Sequence, residues 1–230
     1  DEGADLLRVI NVSASPVQSG TASISDCLFI RGVGVSGNNV VVGTTGSFAS
    51  LRKLHVFNVS NPSSPVQSSI LQLGNFGPTN LVCVGNMVYV LGASGATRQL
   101  LSVDISNPSA PVLTSTINLV DDPENIAHTG HLILTHGTDQ LLSLFDISAP
   151  NAPVLVDSIS PVGSGNMVAS GNFAYVSTEL DGTNVIELQC VSAIVIDPLT
   201  GELVQQSLNS EGGLVGPMGP QGLQGPAGPT

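Results

Sequence analysis

The chain reads as all-β, and three observations carry that class. A phrase ending in Asp/Asn-Ile/Val-Ser and a proline-bounded turn recurs through residues 7–204, and a turn glycine followed by a short apolar run recurs between its copies. No capping box leads into an apolar pattern of period 3.6 at any point. The last eighteen residues break from this pattern and place glycine at every third position. The chain thus divides into a globular region, residues 1–211, and a fibrous tail, residues 212–230.

The phrase is clearest as Leu54-His-Val-Phe-Asn-Val-Ser-Asn-Pro-Ser-Ser-Pro-Val66, Leu101-Ser-Val-Asp-Ile-Ser-Asn-Pro-Ser-Ala-Pro-Val112 and Leu142-Ser-Leu-Phe-Asp-Ile-Ser-Ala-Pro-Asn-Ala-Pro-Val154. A shortened copy, Leu7-Arg-Val-Ile-Asn-Val-Ser-Ala-Ser-Pro-Val17, opens the chain, and a degenerate one spans residues 193–204. Proline cannot donate to a sheet ladder, so Asn-Pro-x-x-Pro forces a turn, and a strand can begin beside it only on a sheet edge. Between the copies lie Gly37-Asn, Gly85-Asn, Gly130-His and Gly171-Asn, each followed by apolar residues. Glycine reaches positive φ without steric cost, so these are hairpin turns.

Each unit therefore holds an inner strand, a glycine turn, a second strand, a third strand ending in the phrase, and an outer strand beginning at Pro-Val. The Pro-Val steps at Pro16, Pro65, Pro111 and Pro153 are 49, 46 and 42 residues apart, the period of a four-stranded propeller blade. The expected fold is a β-propeller of about four to five four-stranded blades. Complete units are expected near residues 27–73, 80–118, 123–159 and 164–208, the last with its third and fourth strands at 185–197 and 202–208. The N-terminal third-and-fourth pair then either adds to the ring as an incomplete blade or docks on a neighbouring subunit's sheet edge. The phrase resembles the LVIVD repeat of bacterial and archaeal surface or secreted propellers over roughly residues 5–208. That resemblance implies an architecture and no catalytic motif.

In the tail, Gly213, Gly216, Gly219, Gly222, Gly225 and Gly228 head six triplets, with proline after four of the last five. Three polyproline-II strands wind together only if the axial residue lacks a side chain, so this spacing predicts a collagen-like triple helix and a homotrimer. Proline occupies X and never Y, as in bacterial or viral collagen-like stalks.

Five basic residues against seventeen acidic ones give a net charge of −12, which repels nucleic-acid phosphates and anionic membranes. No apolar run approaches the ~18 residues of a membrane span. The start at Asp1-Glu2-Gly3 fits a mature secreted product or a cut piece. Cys27, Cys83 and Cys190 lie in apolar surroundings, as buried thiols or as one pair with one left over.

Candidate chemistry is sparse. Asp121, Asp122 and Glu124 form the densest acidic run, read as a solvated turn around Pro123 because no calcium-loop pattern is present. A hairpin at Gly130-His131 sets His128 opposite Ile133 and His136 opposite Asn125, which does not converge three imidazoles on a metal. Gly32-Val-Gly-Val-Ser-Gly37 has neither the lysine nor the helix of a phosphate loop. The serines are read as hydroxyls capping local backbone in the turns. Asn11 and Asn58 head glycosylation sequons that the repeating phrase generates automatically. Most aromatic residues are assigned to inward-facing strand positions, which leaves few stacking platforms for a sugar. No catalysis, cofactor or metal is expected. The expected role is a structural subunit of an extracellular, polymerising trimeric fibre, and the alternative is a stalked adhesin or glycan-binding head.

Overall fold

The structure is a computed structural model and describes residues 6–13, 16–160, 162–178, 182–188, 192–196 and 203–207. It divides into two compact units, Asp1–Ile186 and Glu187–Thr230. In the first, β1 (Leu6–Asn11) and β2 (Val17–Ser23) form a two-stranded antiparallel sheet. Three complete four-stranded sheets follow. They are β3 (Phe29–Ser36), β4 (Asn39–Thr45), β5 (Lys53–Asn58) and β6 (Val66–Gln72); β7 (Phe76–Val84), β8 (Met87–Ser94), β9 (Thr97–Asp104) and β10 (Val112–Asn118); and β11 (Pro123–Thr129), β12 (Leu132–Gly137), β13 (Leu142–Asp146) and β14 (Val154–Ile159). A three-stranded sheet, β15 (Met167–Ser170), β16 (Phe173–Thr178) and β17 (Gly182–Glu187), closes this unit. In the second unit, β18 (Ser192–Ile196) and β19 (Leu203–Ser207) form a separate antiparallel hairpin.

The strand order within each complete sheet follows from its turns. Gly37, Gly85, Gly130 and Gly171 all lie at φ between 54° and 57°, at the first position of two-residue loops joining an inner strand to its neighbour. Positive φ at that position matches the right-handed twist of the flanking strands. The outer strands β6, β10 and β14 begin at Val66, Val112 and Val154, each one residue past a proline.

Successive inner strands β3, β7, β11 and β15 stand beside one another, so the middle strands are covered on both faces. This accounts for the unbroken apolar runs Val40-Val41-Val42 and Val88-Tyr89-Val90-Leu91. Val41, Leu54 and Val56 pack toward Leu81, Val88, Val90 and Val103 of the next sheet. On that next sheet's far side Tyr89 and Leu100 meet Ile133 and Phe145. Each such side chain, fully buried, contributes about 1.5–3 kcal/mol. The N-terminal pair packs on its own chain: Leu7, Ala22 and Ile24 cover Val40, Val42 and Phe57. Gly20 of β2 lies so close to the Pro62–Pro65 turn that an added Cβ would sit 2.9 Å from Pro65 Cδ.

Two sequence expectations need correcting. Among the described residues the fourth unit is three-stranded, not four-stranded, over 164–208: Gly182–Glu187 supplies the third strand beside β16, and β18 and β19 pair with each other. The serine turns also work in the opposite sense to that expected. The Asn or Asp side chain accepts, and the serine supplies its backbone N–H, at Asn11–Ser13 and Asn58–Ser60 (2.9 Å each) and at Asp104–Ser106 and Asp146–Ser148 (2.7 Å each).

These Asx turns make a pH prediction. The Ser106 backbone N–H holds Asp104 below the usual carboxylate range, and the Ser148 hydroxyl and N–H do the same for Asp146. A depressed folded value means stabilisation that is present above the unfolded value and lost as pH falls through the folded one. The double variant Asp104→Asn/Asp146→Asn keeps the turns, as Asn11 and Asn58 show. It should therefore flatten the acid side of the melting-temperature profile while changing neutral stability by less than about 1 kcal/mol, solvent screening included. Thermal melts at a series of pH values check this, and an unchanged acid slope counts against it.

Candidate functional site

The described surface has one feature that its composition makes unusual. Three of the chain's five basic residues, Arg31, Arg52 and Arg98, line a single open groove of ≈ 660 Å³. It forms where the starts of β3 and β7 meet the β4–β5 and β8–β9 connections, with Thr45, Asn75 and Ser94 on its walls. Lys53, by contrast, is buried and paired with Asp26 at 3.4 Å.

Each arginine is held by a different partner. Arg31 stands at the register shift between Ile30 and Gly32, its Cζ 5.0 Å from the Phe29 ring centroid, and among the described residues no carboxylate pairs with it. Arg52 follows the short 3-10 turn Ala49–Leu51 and donates through Nε to the Gly46 carbonyl (3.3 Å) and through Nη1 to the Asn75 carbonyl (2.5 Å). A guanidinium has five N–H donors, so part of its fork faces outward. Arg98 pairs with Asp122 of the next sheet. The groove continues past Gly95 and Arg98 into a second one lined by Asp121, Asp122 and Asp139. One trough therefore carries guanidinium groups at one end and carboxylates at the other.

Arg52 and Arg98 hold equivalent positions, six residues before the turn-capping Asn58 and Asp104 (58 − 52 and 104 − 98). Their backbone carbonyls accept equivalent bonds, from Leu73 N (2.9 Å) and Leu119 N (2.8 Å). Gln140 holds that place in the third sheet and accepts from Val162 N (3.1 Å). Sequence reasoning passed over these arginines because they belong to no local motif. The signal available was their shared offset from the repeated phrase.

The residues singled out from the sequence lie apart. Gly213, Gly216, Gly219, Gly222, Gly225 and Gly228 lie outside the described residues, as does Cys190. Asn125 pairs with His136 and His128 with Ile133, as the turn predicted. His136 is buried with Nε2 at 2.8 Å from the Gly163 carbonyl, so Nε2 carries the proton, while His128 and His131 are exposed. Asp121 is buried, accepts from Ser143 Oγ at 3.1 Å, and is pushed above its ordinary pKa by burial. His136 is one residue beyond Thr135, the cross-strand neighbour of Ser143, and so projects to the opposite face. Ser143 thus has an acceptor but no imidazole beside it. Asp122 and Glu124 are exposed around Pro123, and no group of three or more metal-ligating side chains occurs among the described residues.

The glycine-rich stretch is the inner strand β3. A Cβ at Gly34 would sit 2.6 Å from Cys83 Sγ and 2.7 Å from Leu81 Cδ1, so its glycines admit β7. Cys83 is a half-buried free thiol pushed up to about 12 by desolvation, and Cys27 packs beside the Val40–Phe57 cluster. The Asn11 and Asn58 side chains are exposed within their turns. Aromatic placement is mixed: Phe57, Phe76, Tyr89 and Phe145 are buried, whereas Phe29, Phe48 and Phe173 are exposed. Among the described residues no helix is long and apolar enough to cross a membrane.

Comparison with known proteins addresses the fold. A family model described as the LVIVD repeat matches residues 79–118, which is nearly the whole of the β7–β10 sheet. The chain has a β-propeller-type fold. It is similar to BamB from Moraxella catarrhalis, at 16% identity and a TM-score of 0.52, covering 83% of this chain and 53% of that one. A protein from Lactobacillus plantarum matches at 19% identity and a TM-score of 0.60, covering 87% and 63%. Apo AztD from Citrobacter koseri matches at 15% and 0.53, covering 80% and 54%. The chain thus spans about half the length of BamB and AztD, and identities this low carry the architecture alone. No curated protein sequence matches it.

Proposed function

We propose that the chain is a structural subunit of an extracellular trimeric fibre, a β-propeller head of four to five blades on a collagen-like triple-helical stalk. The observation that carries this reading is the unbroken glycine spacing from Gly213 to Gly228 directly after a repeat-built β domain. The acidic balance of −12 suits a surface that resists non-specific association in open water. A stalk of one molecule gripped by the heads of the next makes a heterologous contact that repeats without closing, and such a contact grows a filament. The reading includes no catalysis. Negative-stain microscopy of the purified chain should show filaments with a regular axial repeat, and deletion of residues 213–230 should abolish them. Filaments that survive the deletion would contradict the role given to the stalk.

The arginine groove favours a second reading, a binding head displayed three at a time for avidity. Discrete trimers that attach to cells or glycans without polymerising would favour it over the fibre.

A further inference from the structure

We propose that the groove carrying Arg31, Arg52 and Arg98 binds a linear acidic saccharide through its carboxylates. The proposal rests on the binding-head reading and names the ligand class of that site. Three of five basic residues gather in one groove on a chain of net charge −12, so the groove is where the described residues concentrate the groups that meet an anion.

Preorganisation is the second argument. Arg31 is seated over Phe29, Arg52 is tied to the Gly46 and Asn75 carbonyls, and Arg98 is paired with Asp122. Side chains already ordered lose less entropy when a ligand arrives, and the planar guanidinium fork matches a carboxylate bidentately. Arg52 and Arg98 hold the same place on consecutive sheets, so a ligand crossing from one sheet to the next meets the same group twice. That arrangement suits a polymer whose acid groups themselves recur.

The walls of the groove suit a sugar better than an acidic peptide. The trough sets Asp122 and Asp139 beside its guanidinium end and offers Thr45, Asn75 and Ser94 as hydrogen-bonding walls. Ring hydroxyls can donate to those carboxylates while the acid groups meet the arginines. No aromatic residue lines the trough, so charge and hydrogen bonding carry the recognition there.

The test is calorimetric titration of the full chain with hexagalacturonate, with a neutral hexasaccharide and sodium sulfate as comparators. Hexagalacturonate should bind, weaken as salt is raised, and weaken at least about tenfold in Arg31→Ala, the loss of one charge-assisted contact. Arg52→Lys, which keeps the charge and loses the fork, should weaken it as well. Arg31 is exposed, so its variant should melt with the wild type. Equal binding of the neutral sugar, equal competition by sulfate at the same concentration, or undiminished binding by an Arg31→Ala chain that melts normally would each overturn the proposal. Titration with polyglutamate separates the two levels. If polyglutamate binds through Arg31 and hexagalacturonate does not, the saccharide class falls and the binding head stands; if neither binds, both fall.

Discussion

Gly137→Ala is expected to destabilise the head by about 3 kcal/mol, the upper part of the range for forced overpacking. Gly137 ends β12 opposite Pro123, at a register shift in β11. An added Cβ there would collide with the Asp122 carbonyl oxygen and lie 2.8 Å from both Asp122 C and Pro123 Cα. All of these are backbone atoms, and no rotamer change can relieve them. Gly92 repeats the arrangement opposite Pro78, where the Cβ would sit 2.9 Å from Pro78 Cα, and Gly92→Ala should cost about as much. Gly43 stands opposite the equivalent shift in β3, but its Cβ would meet only side-chain atoms, Leu81 Cδ2 at 3.2 Å and Pro78 Cβ at 3.7 Å. Gly43→Ala should therefore cost under about 1 kcal/mol. Urea unfolding of the three variants tests the grading, and equal losses would show that proline opposite glycine is not what sets the approach.

The second large effect belongs to the proposed stalk. In the proposed triple helix, replacing Gly222 with valine should lower the melting temperature of the trimer sharply, because a side chain on the axis of three polyproline-II strands has no room. Six triplets at ~3.1 Å per residue span only about 55 Å, and Gly222 divides them into three on one side and two on the other. Neither remnant is long enough to hold by itself. Concentration-dependent melting read by the polyproline circular-dichroism band measures the effect. A variant trimer as stable as the parent would mean that something other than a triple helix joins the chains.

Much of the head was legible because local chemistry agrees with global placement. Pro65, Pro111 and Pro153 end a turn where an outer strand must begin, and Gly37, Gly85, Gly130 and Gly171 need positive φ where two strands must reverse. Period alone could not foresee the inner strands, where Pro78 and Pro123 occupy the ladder at register shifts facing Gly92 and Gly137. Proline is tolerated there because an inner strand is also an edge. The fourth unit departs from the expected third and fourth strands at 185–197 and 202–208: Gly182–Glu187 supplies its third strand, and β18 and β19 pair with each other. The arginine groove was harder to see for a different reason: its members come from two strand starts and two connections, and only their register across sheets brings them together.

The glycine repeat is proposed to make this chain a trimer. Sedimentation equilibrium of the full chain, beside a chain ending at Gly212 with the same head melting temperature, tests it most directly. The account predicts three times the chain mass for the former, or larger multiples of three where filaments grow, and a single chain mass for the latter. A full chain that sediments as a monomer, or a truncated one that remains trimeric, would contradict it.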